Sequence, residues 1–175
     1  MRNFPYILRL HYTTWIVYLK ETHMSTHALI VISNHDADSL RLNTSCNYTT
    51  LYVHFDGYPQ GLGTDIAEHL TGYRLTAGIS GDTGKTANGM ECLAAQVVAN
   101  LKDMVGNVYL TLDHESFDHA GVDYLYFISP NEDCKRVDIR VEHKAGDTLL
   151  YDGPLDDFHR TITGPLGVAA LWEKV

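Results

Sequence analysis

The sequence is poor in cysteine and in basic residues, and it has no long uninterrupted apolar run. Its three cysteines, Cys46, Cys92 and Cys134, are far apart and none belongs to a CxxC pair. That pattern excludes a disulfide scaffold and a zinc finger, and reads as free thiols in a reducing compartment. Lys and Arg number 13 against 22 Asp and Glu, for a formal charge of -9. Gripping a phosphate backbone needs clustered cations, so direct nucleic-acid binding is not expected. The apolar stretches of the first 23 residues are broken by Arg9, His11 and Lys20, too short and too interrupted to span a bilayer. They also lack the compact apolar core and small-residue cleavage site of a secretory signal. No GxSxG, HExxH or comparable catalytic signature is present.

What is present is a chain of 175 residues with 45% hydrophobic and 20% charged side chains, enough for one domain with a real core. Residues 1–23 are basic and aromatic in an otherwise acidic protein. They read as a non-native leader ahead of a natural start at Met24; the competing reading is a flexible, partner-binding arm. The leader's Arg2, Arg9 and Lys20 face Glu21 alone, so the remainder carries -11. Residues 24–175 read as a single α+β domain.

Ala28 to Ile32 is a continuous apolar run, the pattern of a strand buried on both faces. A turn at 34–38 precedes a second short strand expected over Leu40–Cys46. Tyr48 to Phe55 alternates, with Leu51, Val53 and Phe55 on one face and Thr50, Tyr52 and His54 on the other. Gly57, Pro59, Gly61 and Gly63 break it, and Thr64 is the expected N-cap of a helix carrying Ile66 and Leu70. Asn88 with Glu91 three residues later predicts a capping box for a longer helix, in which Met90, Leu93, Ala94, Val97 and Leu101 share a face. Strands are expected at Val108–Leu112, Val122–Ile128, Arg136–Val141 and Leu149–Tyr151, and a helix at Pro154–Ile162. Short turns between late strands predict a mainly antiparallel sheet with two principal helices packed on one face.

Three segments invite a chemical reading. Gly78 to Thr86 contains Gly84-Lys85-Thr86, but the residue that a phosphate-binding loop requires to be its first glycine is Ile79, so a plain loop is expected. Asp113, His114, Glu115 and His119 crowd potential metal ligands together, yet they match no standard spacing; a solvated turn is expected and no metal or other cofactor is assigned. The most informative stretch is Tyr52 to Gly63. With Val53 and Phe55 inward, Tyr52, His54 and Asp56 face outward at a strand end, followed by Gly57, Tyr58, Gly61 and Gly63. Such a group can hold a ligand, move protons or anchor a partner, although the same glycines are also turn chemistry.

THALIVIS, then YVHFDGYPQGLG, then NGMECLAAQVVANLK together resemble a family of small uncharacterised proteins from tailed phages and prophages. Members start with Met, a small residue and Thr before a strand, and carry an H-x-DGYP-x-G-x-G block and a later CLAAQ helix. The resemblance covers Met24 to about Leu112, and Glu91 departs from it, standing where the family has a small residue. It implies a phage origin and a cytoplasmic setting in an infected bacterium, and it supplies no catalytic residues.

The function expected from these features is that of an acidic, non-catalytic accessory protein. It would bind and modulate or inhibit a host or defence protein with a basic surface, using Tyr52, His54, Asp56, Gly57, Tyr58, Gly61, Gly63 and Glu91. Asp36, Asp38, Asp113, Glu115, Asp118, Asp156 and Asp157 are candidate contributors of charge. The alternative is a binder of, or enzyme on, a nucleotide-like small molecule through His54, Asp56 and Tyr58. A homo-oligomer is compatible with either.

Overall fold

The structure is a computed structural model and describes residues 25–42, 47–78, 84–111 and 121–172. The leader and the group Asp113, His114, Glu115 and His119 therefore lie outside the described residues, as do Asp118 and residues 79–83 of the glycine-rich loop.

The fold is α+β. Its main sheet is built from β1 (Ala28–Ser33), β2 (Asn47–Val53), β5 (Val108–Thr111), β6 (Tyr124–Pro130), β7 (Val137–His143) and β8 (Thr148–Pro154), in the order β5-β2-β1-β6-β7-β8. Every neighbouring pair is antiparallel except β1 and β6, which run parallel. The apolar run at the start of the domain is β1, and all six of its residues are buried. Its neighbours on both sides and helices on both faces explain why it carries no polar alternation. A small parallel pair, β3 (Arg74–Thr76) and β4 (Thr86–Asn88), flanks the glycine-rich loop.

One face of the sheet presents Ala28, Ile30, Ile32, Leu51, Val53, Tyr126, Ile139 and Val141 to α2 (Thr64–Leu70), α3 (Gly89–Leu101), α4 (Leu155–Thr163) and α5 (Ala169–Trp172). Leu93, Val97, Ile66, Leu70 and Phe158 are the main helical contributions, all buried. The other face carries a second core of Leu29, Val31, Leu125 and Phe127 beneath Ala37 and Leu40. Those last two lie on α1 (Ala37–Leu42), the helix found where a strand from Leu40 was expected. Asp36 is the physical reason: its carboxylate accepts hydrogen bonds from the Ser39 backbone N–H at 2.8 Å and the Ser39 hydroxyl at 3.1 Å. That is an N-terminal cap, and it outweighs the modest strand propensity that follows. The bond from the Ser39 backbone also holds the Asp36 carboxyl below its usual range.

Two expected helix starts differ as well. Thr64 is the first helical residue and not the cap, because the chain enters α2 from a five-residue π-helical turn, Pro59–Gly63, that is already helical. The capping box ahead of α3 does not form: the Asn88 side chain instead accepts the Gly78 N–H at 2.7 Å and pins the loop. Among the described residues no helix is long and apolar enough to cross a membrane.

Candidate functional site

The strand alternation of β2 stops at Val53. Asp56 then takes a left-handed conformation, φ 55°, and this reversal redirects the side chains that follow. Phe55 does not enter the core; it is 47% exposed at the edge of a cleft. Asp56 lines that same cleft, whereas Tyr52 and His54 sit on the opposite face of the sheet beside His27, His54 stacked on its ring and Tyr52 tilted to it. The predicted cluster is therefore divided by the sheet.

The glycines of the block are set by close packing. A Cβ on Gly57 would lie 2.8 Å from Ala28 Cβ and 2.9 Å from Ala28 N. Its N–H donates to Thr26 at 2.9 Å, and its carbonyl accepts the buried Tyr126 hydroxyl at 2.8 Å. On Gly61 a Cβ would stand 2.6 Å from the Asp56 carbonyl, which accepts the Leu62 N–H across the π turn. Gly63 is buried against Phe158 and Tyr126. Tyr58 is half-buried, and burial and then its neighbour Asp56 hold its hydroxyl above the usual range. Glu91 is remote from all of these, exposed in the first turn of α3 beside a second cleft that Cys92 and Cys134 also line.

The cleft at Asp56 has a volume of about 500 Å³. It gathers acids from three places: Asp56 from the turn, Asp65 and Glu68 from α2, and Asp103 from just beyond α3. Val53, Leu62, Leu101 and Val108 form its apolar floor, and no Lys or Arg lines it among the described residues. Burial, and after it the charges of Glu68, Asp103 and Asp56, push the Asp65 carboxyl above its ordinary value. His69 is on the cleft wall, and its buried Nε2 meets no hydrogen-bond partner among the described residues. Burial, and then the Lys85 charge, lower its pKa and favour the neutral ring. Four carboxylates with no Lys or Arg among the described lining residues give the cleft a negative potential, although no three of its acids and histidines are grouped to hold a metal ion among the described residues. Exposed apolar side chains follow along the same end of the sheet: Met104 at 59%, Val105 at 99% and Leu110 at 69% exposure.

Asp65, Glu68 and Asp103 were not singled out from the sequence; the i, i+3 spacing of Asp65 and Glu68 on one helix is the signal that could have found those two, and Asp103 had no local signal. The acids singled out from the sequence mostly have structural duties. Asp36 caps α1, Asp38 meets Arg140, Asp156 accepts the Gly72 N–H, and Asp157 pairs with Arg160.

Lys85 settles the Gly84-Lys85-Thr86 segment. Its Nζ donates to the carbonyls of Glu68, His69 and Thr71 at 3.1, 3.0 and 3.0 Å, closing the C-terminus of α2 where a cation suits the helix dipole. Thr86 then begins β4 and not a helix. Lys85→Ala is expected to cost about 1 kcal/mol, read as a fall in Tm of about 2–4 °C by calorimetry.

Comparison of the chain with protein-family models, curated proteins and solved structures finds no match.

Proposed function

We propose that the chain is a binding protein and that its acidic cleft, which is itself non-catalytic, receives a basic segment of a protein partner. The observation that carries this is the convergence of Asp56, Asp65, Glu68 and Asp103 on one concavity. Burial and, after it, the neighbouring carboxylates raise the Asp65 carboxyl, so its charge in this cleft opposes folding. A protein gains nothing in stability from such a cluster, so its use lies in what it attracts. Lys or Arg side chains of a partner would enter the cleft, and apolar side chains beside them would cover Phe55, Met104 and Val105. This is the usual division of an interface into charged steering and apolar anchoring. The resemblance to tailed-phage proteins makes the partner a bacterial host or defence protein with a basic groove, met in the cytoplasm of the infected cell. The net charge of -9 supports competition for such a groove.

The test neutralises the cleft in the triple variant Asp65→Asn, Glu68→Gln, Asp103→Asn and measures two quantities. The first is binding of a fluorescein-labelled peptide alternating Lys or Arg with Leu, followed by polarisation. Wild type should bind at 50 mM salt and lose about tenfold in affinity at 500 mM, where screening is short-ranged, and the variant should lose about tenfold at low salt. Equal binding by both proteins, or none by wild type, would overturn the reading.

The second quantity is stability against pH. A carboxyl whose folded pKa is raised binds its proton more tightly folded than unfolded, so its contribution to stability declines as pH rises above the ordinary 3.8. The variant is therefore expected to melt higher than wild type at pH 7. That advantage should vanish below the ordinary value, where both forms are protonated.

A further inference from the structure

On the face of the sheet away from the acidic cleft, two separate parts of the chain, residues 25–27 and the turn at Gly121, meet around one histidine. Ser25 is exposed just ahead of β1, His27 is half-buried at its start, and Gly121 lies in the turn before β6. His27 Nδ1 is 2.8 Å from the Gly121 carbonyl, and His27 Nε2 is 2.9 Å from the Ser25 hydroxyl. A backbone carbonyl only accepts, so Nδ1 carries the proton. In the neutral ring this leaves the Nε2 lone pair directed at Ser25, the tautomer that a general base needs. The ring is fixed from a second side by the His54 imidazole, stacked at 4.9 Å and 17°. The Asp123 carboxylate accepts the His27 backbone N–H at 2.8 Å and holds the residue in place. The Ser25 hydroxyl donates to the His54 carbonyl at 2.5 Å, and its proton has to turn from that carbonyl to His27 Nε2, 2.9 Å away, for the base to take it.

We infer that Ser25, His27 and the Gly121 carbonyl form a nucleophile–base–orienting group able to cleave small aryl esters. The substrate class follows from what lies beside the nucleophile. His54 just past β2, Tyr52 on β2 and Tyr109 on β5 form a row of rings, with centroid separations of 5.9 and 6.4 Å, and Tyr109 is 48% exposed. Such a row offers π faces to an aromatic ring. In the step itself, Ser25 Oγ attacks the ester carbonyl carbon as its proton passes to His27 Nε2. The carbon–aryloxide bond breaks, and the aryloxide leaves with that proton. Water then attacks the acyl–Ser25 ester, gives a proton to His27, and the free acid departs as Ser25 Oγ regains a proton. The site shares no residue with the acidic cleft, and it stands or falls apart from the docking reading.

The full-length protein is treated with a fluorophosphonate probe, and the adduct is mapped by mass spectrometry alongside the time course of p-nitrophenyl acetate hydrolysis. Wild type should carry the adduct on Ser25 and release p-nitrophenol with a stoichiometric burst. Ser25→Ala should lose both. His27→Gln, which keeps a hydrogen-bonding side chain but no base, should label about 100-fold more slowly. Thermal melts show whether each variant is folded, and Ser25, being exposed, is the change the fold tolerates best. No adduct on Ser25 in the wild type, or equal labelling of wild type and folded His27→Gln, would overturn the inference.

Discussion

Gly57→Ala is expected to remove about 3 kcal/mol of stability, the upper end of the cost of overpacking a filled interior. The added methyl would sit 2.8 Å from Ala28 Cβ, 2.9 Å from Ala28 N and 2.9 Å from the His27 carbonyl carbon. Two of those three are backbone atoms at the start of the central strand, and neither can turn aside as the tip of a long side chain would. Any outward shift also stretches two hydrogen bonds, Gly57 N–H to Thr26 and Tyr126 hydroxyl to the Gly57 carbonyl. The second is the costlier, because the Tyr126 hydroxyl is buried and would be left without an acceptor. Urea denaturation followed by circular dichroism measures the loss as a lower midpoint at unchanged slope. A midpoint within 0.2 M of wild type, roughly 0.5 kcal/mol at a typical slope, would contradict the packing described.

The second large effect is on the other face, where β7 and β8 carry charge. Arg140 reaches three carboxylates: Glu142 at 2.7 Å, Asp38 of α1 at 3.2 Å and Asp152 at 3.5 Å. The Arg140 side chain is 21% exposed and the Glu142 side chain only 9%, so this is a largely desolvated pair with two looser acids around it. Burial opposes the Arg140 charge, and the bond to Glu142 then more than restores it, so the guanidinium ends above its usual range. Arg140→Met is expected to cost about 3 kcal/mol, since it removes the guanidinium bonded to the largely buried Glu142 carboxylate. Arg140→Met combined with Glu142→Leu should recover most of the loss, because the desolvation penalty of both charges disappears together. Guanidinium melts of wild type, the two single variants and the double variant complete the cycle. A double variant no more stable than Arg140→Met would show that the pair matters for packing and not for charge.

Local periodicity made much of the fold legible. The run at Ala28–Ile32, the alternation at Leu51 and Val53, and the helical spacing of Met90 through Leu101 each survive folding because neighbouring side chains alone dictate which face is apolar. Leu40 was misread for an equally local reason: the Asp36 cap to Ser39 is short-range chemistry that hydrophobic pattern does not report. The DGYP-x-G-x-G block was legible as unusual, but its glycines answer to contacts with Ala28, Asp56 and Phe158.

The sequence by itself determined the α+β class, the all-apolar central strand, the acidic balance and the misplaced glycine spacing ahead of Gly84-Lys85-Thr86. These are properties of composition and of spacing within a dozen residues. The tertiary structure alone decided which chemistry comes together. It separated His54 from Asp56 across the sheet, through one left-handed residue. It brought Asp103 to Asp65, turned Lys85 into the cap of α2, and set Gly121 against His27 from 94 positions away. Those encounters depend on which strands pair and on the direction in which the chain leaves each one, and no periodicity along the chain encodes that.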